Sequence, residues 1–428
     1  MKNIHDYLGL YFRLLRKQAG LSLENISYGL SVSTSLLSDI ENQRRKMKPE
    51  LFDRFLDVYK INFDTNDQLW FQSKELLNHV ITSFIALNTF EMEAVTQSLK
   101  GIKMHIKLLM AIFIGYYLNA FSAVKSRDIN SKYIFENALE FLEIYEADEQ
   151  GLVCLFYALY IKRNTELFSK YNLEDTISWV KKGISISNGE LWSDLPALLK
   201  YNLAYPLGIC TDFYQGIKLI EEVKLAFQQS CNLYRIISCL NNESILLICC
   251  GFYRPAIQKL NGILCHTSIS AYPTIASAAE NNLILAYVLN NEFDQALTQM
   301  NLSIKNSSPA ANCVLAPYCL YRLSKTKEAL QIISKFDKDS LTKDDIYLFR
   351  LLRAVIRKDR RAINNVINPF LNCLCSQYNW TILMIFLRIL CCYFEEENDY
   401  ENLSIVLQAR LDCKEQIFPT ELPLVFRV

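Results

Sequence analysis

From about residue 90 onward the chain repeats itself, and this repetition restricts the possible folds more than any other feature. Six stretches share a pattern in which a tyrosine, phenylalanine or basic residue is followed shortly by a small residue and then by apolar ones: YQGIKLI, FYRPAIQKL, FDQALTQM, TKEALQII, RRAINNVI and YENLSIVL. Taking the small or equivalent residue as a marker gives Thr176, Gly216, Ala256, Ala296, Ala329, Ala362 and Asn402, at intervals of 40, 40, 40, 33, 33 and 40. Ala138 and Ala94 extend the series less regularly towards the N-terminus. A period of this size, apolar at helical spacing, predicts stacked pairs of helices. The small residue lets the second helix of a pair approach the first, and each pair buries its remaining apolar face only against its neighbours. With 12 glycines and 10 prolines in 428 residues, an all-β or linker-rich chain is disfavoured and helix is expected throughout.

The first 63 residues carry a different pattern. Gly20 suits the left-handed end of one helix, and Ser22 can cap the next, which places Leu23, Ile26 and Leu30 on one face. Ser31 and Val32 supply a tight turn. A third helix from Ser33 to Glu41 turns Leu36, Leu37 and Ile40 inward and leaves Ser33, Thr34, Ser35 and Ser38 outward. Tyr11, Leu14 and Leu15 before it, and Leu51, Phe55, Leu56 and Val58 after Pro49, complete a small bundle. Two short helices joined by so brief a turn, the second with small polar residues on its open face, form a helix-turn-helix that fits a DNA major groove. Residues 1–62 hold ten Lys or Arg against seven Asp or Glu, about +3 in a chain that is neutral overall. Gln43, Arg44, Arg45, Lys46 and Lys48 lie just beyond the recognition helix, where basic groups can reach phosphates.

These residues resemble the Xre or Cro/C1-type helix-turn-helix. The Arg-x-x-x-Gly before its second helix is present as Arg16 to Gly20, and the Ile-Glu that ends its recognition helix as Ile40-Glu41. The resemblance implies that Arg16 and Glu41 form a structural ion pair and do not read bases. Leu23 departs from the family, which often has a phosphate-contacting glutamine there. The expected fold class is all-α: an N-terminal helix-turn-helix bundle, followed by a right-handed α-solenoid of tetratricopeptide-like helix pairs. The expected domains are a DNA-binding domain over 1–63, a linker helix over 64–89, and a repeat domain over 90–428 that binds ligand and dimerises.

Fourteen residues before the markers Gly216, Ala256 and Ala296 lie Asn202, Asn242 and Asn282, each within a first helix. First helices line the concave face of such solenoids. A carboxamide offers both a donor and an acceptor, so a row of three can hold an extended peptide backbone whatever its side chains. Tyr201, Tyr205, Asn241 and Asn281 are neighbouring candidates for specificity, and Tyr318 and Arg322 continue the lining in a later unit. Asparagine is also common on polar helix faces, which is the plainer explanation of the spacing.

A helix-turn-helix joined to a tetratricopeptide-like domain resembles the RRNPP group of peptide-responsive regulators from Gram-positive bacteria. The resemblance implies a cytoplasmic, homodimeric transcription regulator of quorum-sensing type, controlled by a short signalling peptide and binding double-stranded DNA. The alternative is a scaffold that recruits a protein partner to DNA through the same head. No phosphate-binding loop, nucleophile elbow or His-Glu-x-x-His motif suggests an enzyme. Fourteen cysteines among apolar neighbours and only four histidines read as core thiols, so no metal or cofactor is expected. The longest apolar run, Leu108 to Leu118, is too short to span a bilayer, and no secretory signal opens the chain.

Overall fold

A computed structural model of the chain describes residues 4–63, 67–86, 135, 138–163, 172–210, 212–305, 315–335, 343–367 and 380–417. Ala94 and the run Leu108 to Leu118 fall outside these residues. All regular structure among them is helical. The chain divides into two compact units, residues 1–168 with 172–203, and residues 169–171 with 204–428.

The first unit opens with the predicted bundle: α1 (Leu8–Gln18), α2 (Leu23–Leu30), α3 (Thr34–Glu41) and α4 (Pro49–Val58). Its boundaries follow from local chemistry. Gly20 closes α1 at φ 68, and the Ser22 and Ser33 hydroxyls accept the Asn25 and Leu36 amides at the starts of α2 and α3. Pro49 opens α4 where no amide donor is needed. Tyr11, Phe12, Leu14, Leu15, Ile26, Leu30, Leu37, Ile40, Phe52 and Phe55 form its core. Two expectations fail in detail: Val58 is 48% exposed while Phe52 is buried, and Leu36 is only half-buried. Helix α4 turns so that Phe52 and Phe55 meet the rings of Phe63 and Phe12, which leaves position 58 on the outer side.

Helix α5 (Asp67–Ala86) packs Phe84 on Phe156, and its Asn78 accepts a hydrogen bond from the Trp192 indole at 2.5 Å. The repeats then run as pairs. In the first unit, α6 (Ala147–Arg163) packs on α7 (Asn172–Ile186), where Gly151 and Gly183 allow near backbone contact. The helix α8 (Leu195–Cys210) pairs with α9 (Phe213–Gln229). The second unit continues with α10 (Leu233–Cys249) and α11 (Tyr253–Leu264), α12 (Pro273–Leu289) and α13 (Phe293–Lys305), and α14 (Ala316–Arg322) and α15 (Thr326–Lys335). It ends with α16 (Lys343–Ile356) followed by helical residues 360–367, and α17 (Trp380–Glu396) with α18 (Tyr400–Ile417).

Within pairs the turn recurs with one chemistry. Gly251, Asn291, Ser324, Lys358 and Asn398 each adopt positive φ, and the next residue but four donates its amide to the residue that caps the second helix. These bonds are Ala256 to Phe252, Ala296 to Glu292, Ala329 to Lys325, Ile363 to Asp359 and Leu403 to Asp399. The register expected for the last two units is therefore off by one: Ile363 and Leu403, not Ala362 and Asn402, occupy the marker position. The packing confirms it, since Ile363 is buried and Ala362 is half-buried. Beside the Gly216 marker it is Phe213 that is buried and meets the Phe252 ring, while Tyr214 is 54% exposed.

Candidate functional site

The recognition helix α3 is fixed from behind by a buried ion pair. The Arg16 guanidinium donates to both Glu41 carboxylate oxygens, at 2.5 and 3.0 Å, and to the Leu21 carbonyl at 2.7 Å. This ties α1, the start of α2 and the end of α3 together, as the sequence implied. On the outer side Ser33, Thr34 and Ser35 are exposed, and Ser38 is half-buried. The Ser33 oxygen is already taken by the Leu36 amide, so only its O–H is left to read a base edge. Asn42 donates to the Ser38 carbonyl at 2.8 Å.

Beyond α3, Gln43, Arg44, Arg45 and Lys46 are all exposed. Arg44 lies 3.8 Å from Asp39 and Lys46 3.4 Å from Asp6, pairs open enough to exchange for phosphate. Gln43 is placed differently from the expectation, because its amide donates to the Glu143 carboxylate at 3.2 Å. Lys17 forms an ion pair with Glu140 in the same segment, and Arg13 and Lys17 both lie over the Phe141 ring. A groove of about 350 Å³ between α3 and α4 is lined by Leu36, Ile40, Arg45, Lys46, Lys48 and Arg54, among others. Four cations against the single carboxylate of Glu50 leave the groove net positive, which suits a phosphate backbone.

The carboxamides of the solenoid differ in their freedom. In the first unit, half-buried Asn202 donates to the Leu198 carbonyl one turn back at 2.8 Å, and Tyr201 and Tyr205 are half-buried on the same helix. In the second unit, Asn282 donates to the Asn241 oxygen at 3.0 Å across α10 and α12, and Asn281 donates to the Ser277 carbonyl. Asn242 is half-buried and has no hydrogen-bond partner among the described residues. Two neighbours expected in the lining sit elsewhere: Asn241 is 8% exposed and Tyr318 is 1% exposed. Tyr318 packs edge-on against Phe293 in the core, and its hydroxyl accepts from half-buried Arg322 at 3.2 Å.

A family model described as a helix-turn-helix domain matches residues 7–65. No protein of curated function matches the sequence. Among solved structures, a Rap protein complexed with competence and sporulation factor aligns with 81% of this chain and 98% of its own, at 14% identity and a TM-score of 0.64. The apo quorum sensor NprR from B. thuringiensis aligns with 80% of this chain and 98% of its own, at 14% identity and a TM-score of 0.58. The NprR complex with its cognate peptide NprX aligns with 79% and 100%, at 14% identity and a TM-score of 0.53. The chain has the helical-repeat fold of these structures, with a helix-turn-helix domain at its N-terminus.

The solenoid has the tetratricopeptide-like fold of those proteins. Among the described residues no helix is long and apolar enough to cross a membrane, and no group of three or more His, Cys, Asp or Glu could hold a metal ion. Two further cations of the helix-turn-helix head, Lys48 and Arg54, line the same groove. Lys48 was legible from its place in the basic cluster. Arg54 was not, because it reads as one exposed charge on an amphipathic helix, and only the packing of α4 brings it to the groove, where it also donates to the Leu30 carbonyl.

Proposed function

We propose that this chain is a non-enzymatic, DNA-binding transcriptional regulator that acts as a homodimer and is controlled by a short peptide held along the first helices of its solenoid. The observation that carries the reading is the combination of an exposed hydroxyl-rich recognition helix with a half-buried, unpartnered Asn242 beside the Asn241–Asn282 pair. A half-buried amide whose donor and acceptor are both open can be satisfied by water or by the main chain of a ligand. The relation to NprR, whose structure with its cognate peptide is known, supports the same reading.

In this proposal Ser33, Thr34, Ser35 and Ser38 face bases, and Arg44, Arg45 and Lys46 with Lys48 and Arg54 face the backbone. Asn202, Asn242 and Asn282 hold the peptide main chain. A two-fold operator accepts dimeric heads only at one half-site spacing, so a peptide that binds one conformer of the solenoid better changes DNA affinity.

The test is selection of bound fragments from the source genome by the purified protein near physiological salt. Enrichment of one inverted-repeat site is expected, and a small open reading frame beside it nominates the peptide. Diffuse, strongly salt-sensitive binding alone would instead favour a scaffold held on DNA by its head. With the peptide in hand, Asn242→Ala is expected to weaken its binding about tenfold by calorimetry. Undiminished affinity would remove Asn242 from the site.

A further inference from the structure

The second unit holds two arginines whose surroundings the peptide clamp does not explain. Arg322 ends the first helix α14, and its guanidinium lies over the Phe293 ring with 5.2 Å to the centroid. One of its nitrogens donates to the Tyr318 hydroxyl at 3.2 Å and to the Cys392 thiol at 3.4 Å. Arg388 lies midway along the first helix α17 and donates to the Leu289 carbonyl at 2.9 Å, at the negative end of α12. Burial pushes the Tyr318 hydroxyl above the usual tyrosine range, and the charges of Arg322 and Arg388 both draw it back down. Cys392, which the Arg322 head touches, lies one helical turn after Arg388 on α17, so the two arginines flank one patch of the second unit.

Both arginines are half-buried, and neither forms an ion pair with a described carboxylate. The carboxylate of Glu396 acts on the Tyr321 hydroxyl instead. Each guanidinium has five N–H donors and spends only one or two here. None of their nitrogens is sealed from solvent without a partner, so the remaining donors are open. Like charges brought together at reduced solvation repel, and the cheapest relief is an anion between them. Phe293, Tyr318 and the Cys392 thiol hold the Arg322 head in place, so the ligand finds it already ordered.

We propose that Arg322 and Arg388 form an anion subsite that takes a carboxylate of the bound peptide. This rests on the peptide reading above, because both arginines lie on first helices, the set that also carries Asn242 and Asn282. A carboxylate accepts bidentate donation from a planar guanidinium fork, and a second fork neutralises what the first leaves. The carboxylate is either the peptide's C-terminus or an acidic side chain.

Immobilised full-length protein, incubated with two randomised heptapeptide pools that differ only in a free or an amidated C-terminus, tests the proposal. Retained peptides are read by mass spectrometry. Carboxylate-bearing peptides are expected to be retained about tenfold over uncharged ones, and Arg388→Gln or Arg322→Gln should level that preference. Arg388→Lys, which keeps charge but not the fork, should restore it in part, and far-UV circular dichroism with the melting temperature checks that each variant is folded. A preference for the free-acid pool identifies the C-terminus, and enrichment of Asp or Glu in both pools identifies a side chain. Retention without a carboxylate preference, or with one that survives both glutamine variants, overturns the subsite and leaves the peptide reading standing. If neither pool is retained the peptide reading falls, and glutarate decides on the subsite alone. A rise in melting temperature over chloride at equal ionic strength, lost in Arg388→Gln, upholds it; an equal rise in both proteins, or none, overturns it.

Discussion

Single residues decide how rigidly each part of the molecule is held. Glu41 is 7% exposed and takes two hydrogen bonds from Arg16, so Glu41→Ala leaves a guanidinium in a half-closed site with nothing to balance it. A loss of about 3 kcal/mol is expected, read from the urea midpoint of unfolding, with DNA affinity falling alongside. Asp148 is the counterpart in the first repeats. Its buried carboxylate accepts the Ser187 hydroxyl at 2.5 Å and the backbone amides of Asn188, Gly189 and Leu191 at 2.7–3.0 Å, which folds the connection between α7 and α8. Burial alone raises its pKa, but the Ser187 bond and the three amides outweigh it, and the folded value lies below the usual carboxylate range. A depressed folded pKa stabilises above the unfolded value and is lost as pH falls through the folded one. The wild-type advantage over Asp148→Asn should therefore be constant from pH 7 to 5 and shrink below about pH 4 in urea titrations. An advantage unchanged at pH 3 would contradict the assignment.

Elements meet where side chains are absent. A Cβ on Gly216 would lie 2.6 Å from the Gly208 Cα and 2.9 Å from the Ala204 carbonyl, so α9 can approach α8 this closely only while position 216 is glycine. Gly216→Val should cost about 3 kcal/mol or more, because backbone and not a flexible side chain must move. Gly262, within α11, has nothing within 4 Å of the same added atom and an ordinary helical backbone. Gly262→Ala should accordingly stabilise the chain by about 0.5–1 kcal/mol. Thermal unfolding of the two variants separates a packing glycine from a dispensable one. Helix spacing and the marker residues were legible because small and apolar side chains recur with the period of the repeat. The one-residue slip at Ile363 and Leu403 was not legible, because RRAINNVI and YENLSIVL each present a small or polar residue beside the apolar one that takes the marker position. The turn settles it: the left-handed residues Lys358 and Asn398 count five to that position, which is buried at Ile363 and half-buried at Leu403.

For the molecule as a whole, charge is distributed so that residues 1–62 carry about +3 while the chain remains neutral. If Arg45, Lys46, Lys48 and Arg54 meet phosphates as proposed, the slope of log affinity against log salt should fall by about 1 for each one replaced by alanine, with little change in operator preference. Replacing Ser35 by alanine should do the reverse, shifting preference among operators with the salt slope unchanged. Fluorescence anisotropy at several salt concentrations distinguishes these outcomes. A slope that ignores Arg54→Ala would show that the groove between α3 and α4 faces away from DNA.

Local chemistry was enough for the sequence to determine the helix-turn-helix, its caps at Ser22 and Ser33 and the succession of helix pairs, since each depends on residues a few positions apart or on a regular period. The Arg16–Glu41 pair, 25 positions apart, was legible only through the family resemblance. Tertiary structure alone decided the rest. Tyr318 and Asn241 share the helical phase of groove-lining neighbours, yet Phe293 and Asn282 from adjoining helices cover or engage them. Gln43 stands in line with the basic cluster but is bonded to Glu143, a hundred residues away. Arg322 donates to the Cys392 thiol, 70 positions further on. Such meetings depend on how successive helix pairs stack, and stacking is set by the summed shapes of their faces, which no single stretch of sequence contains.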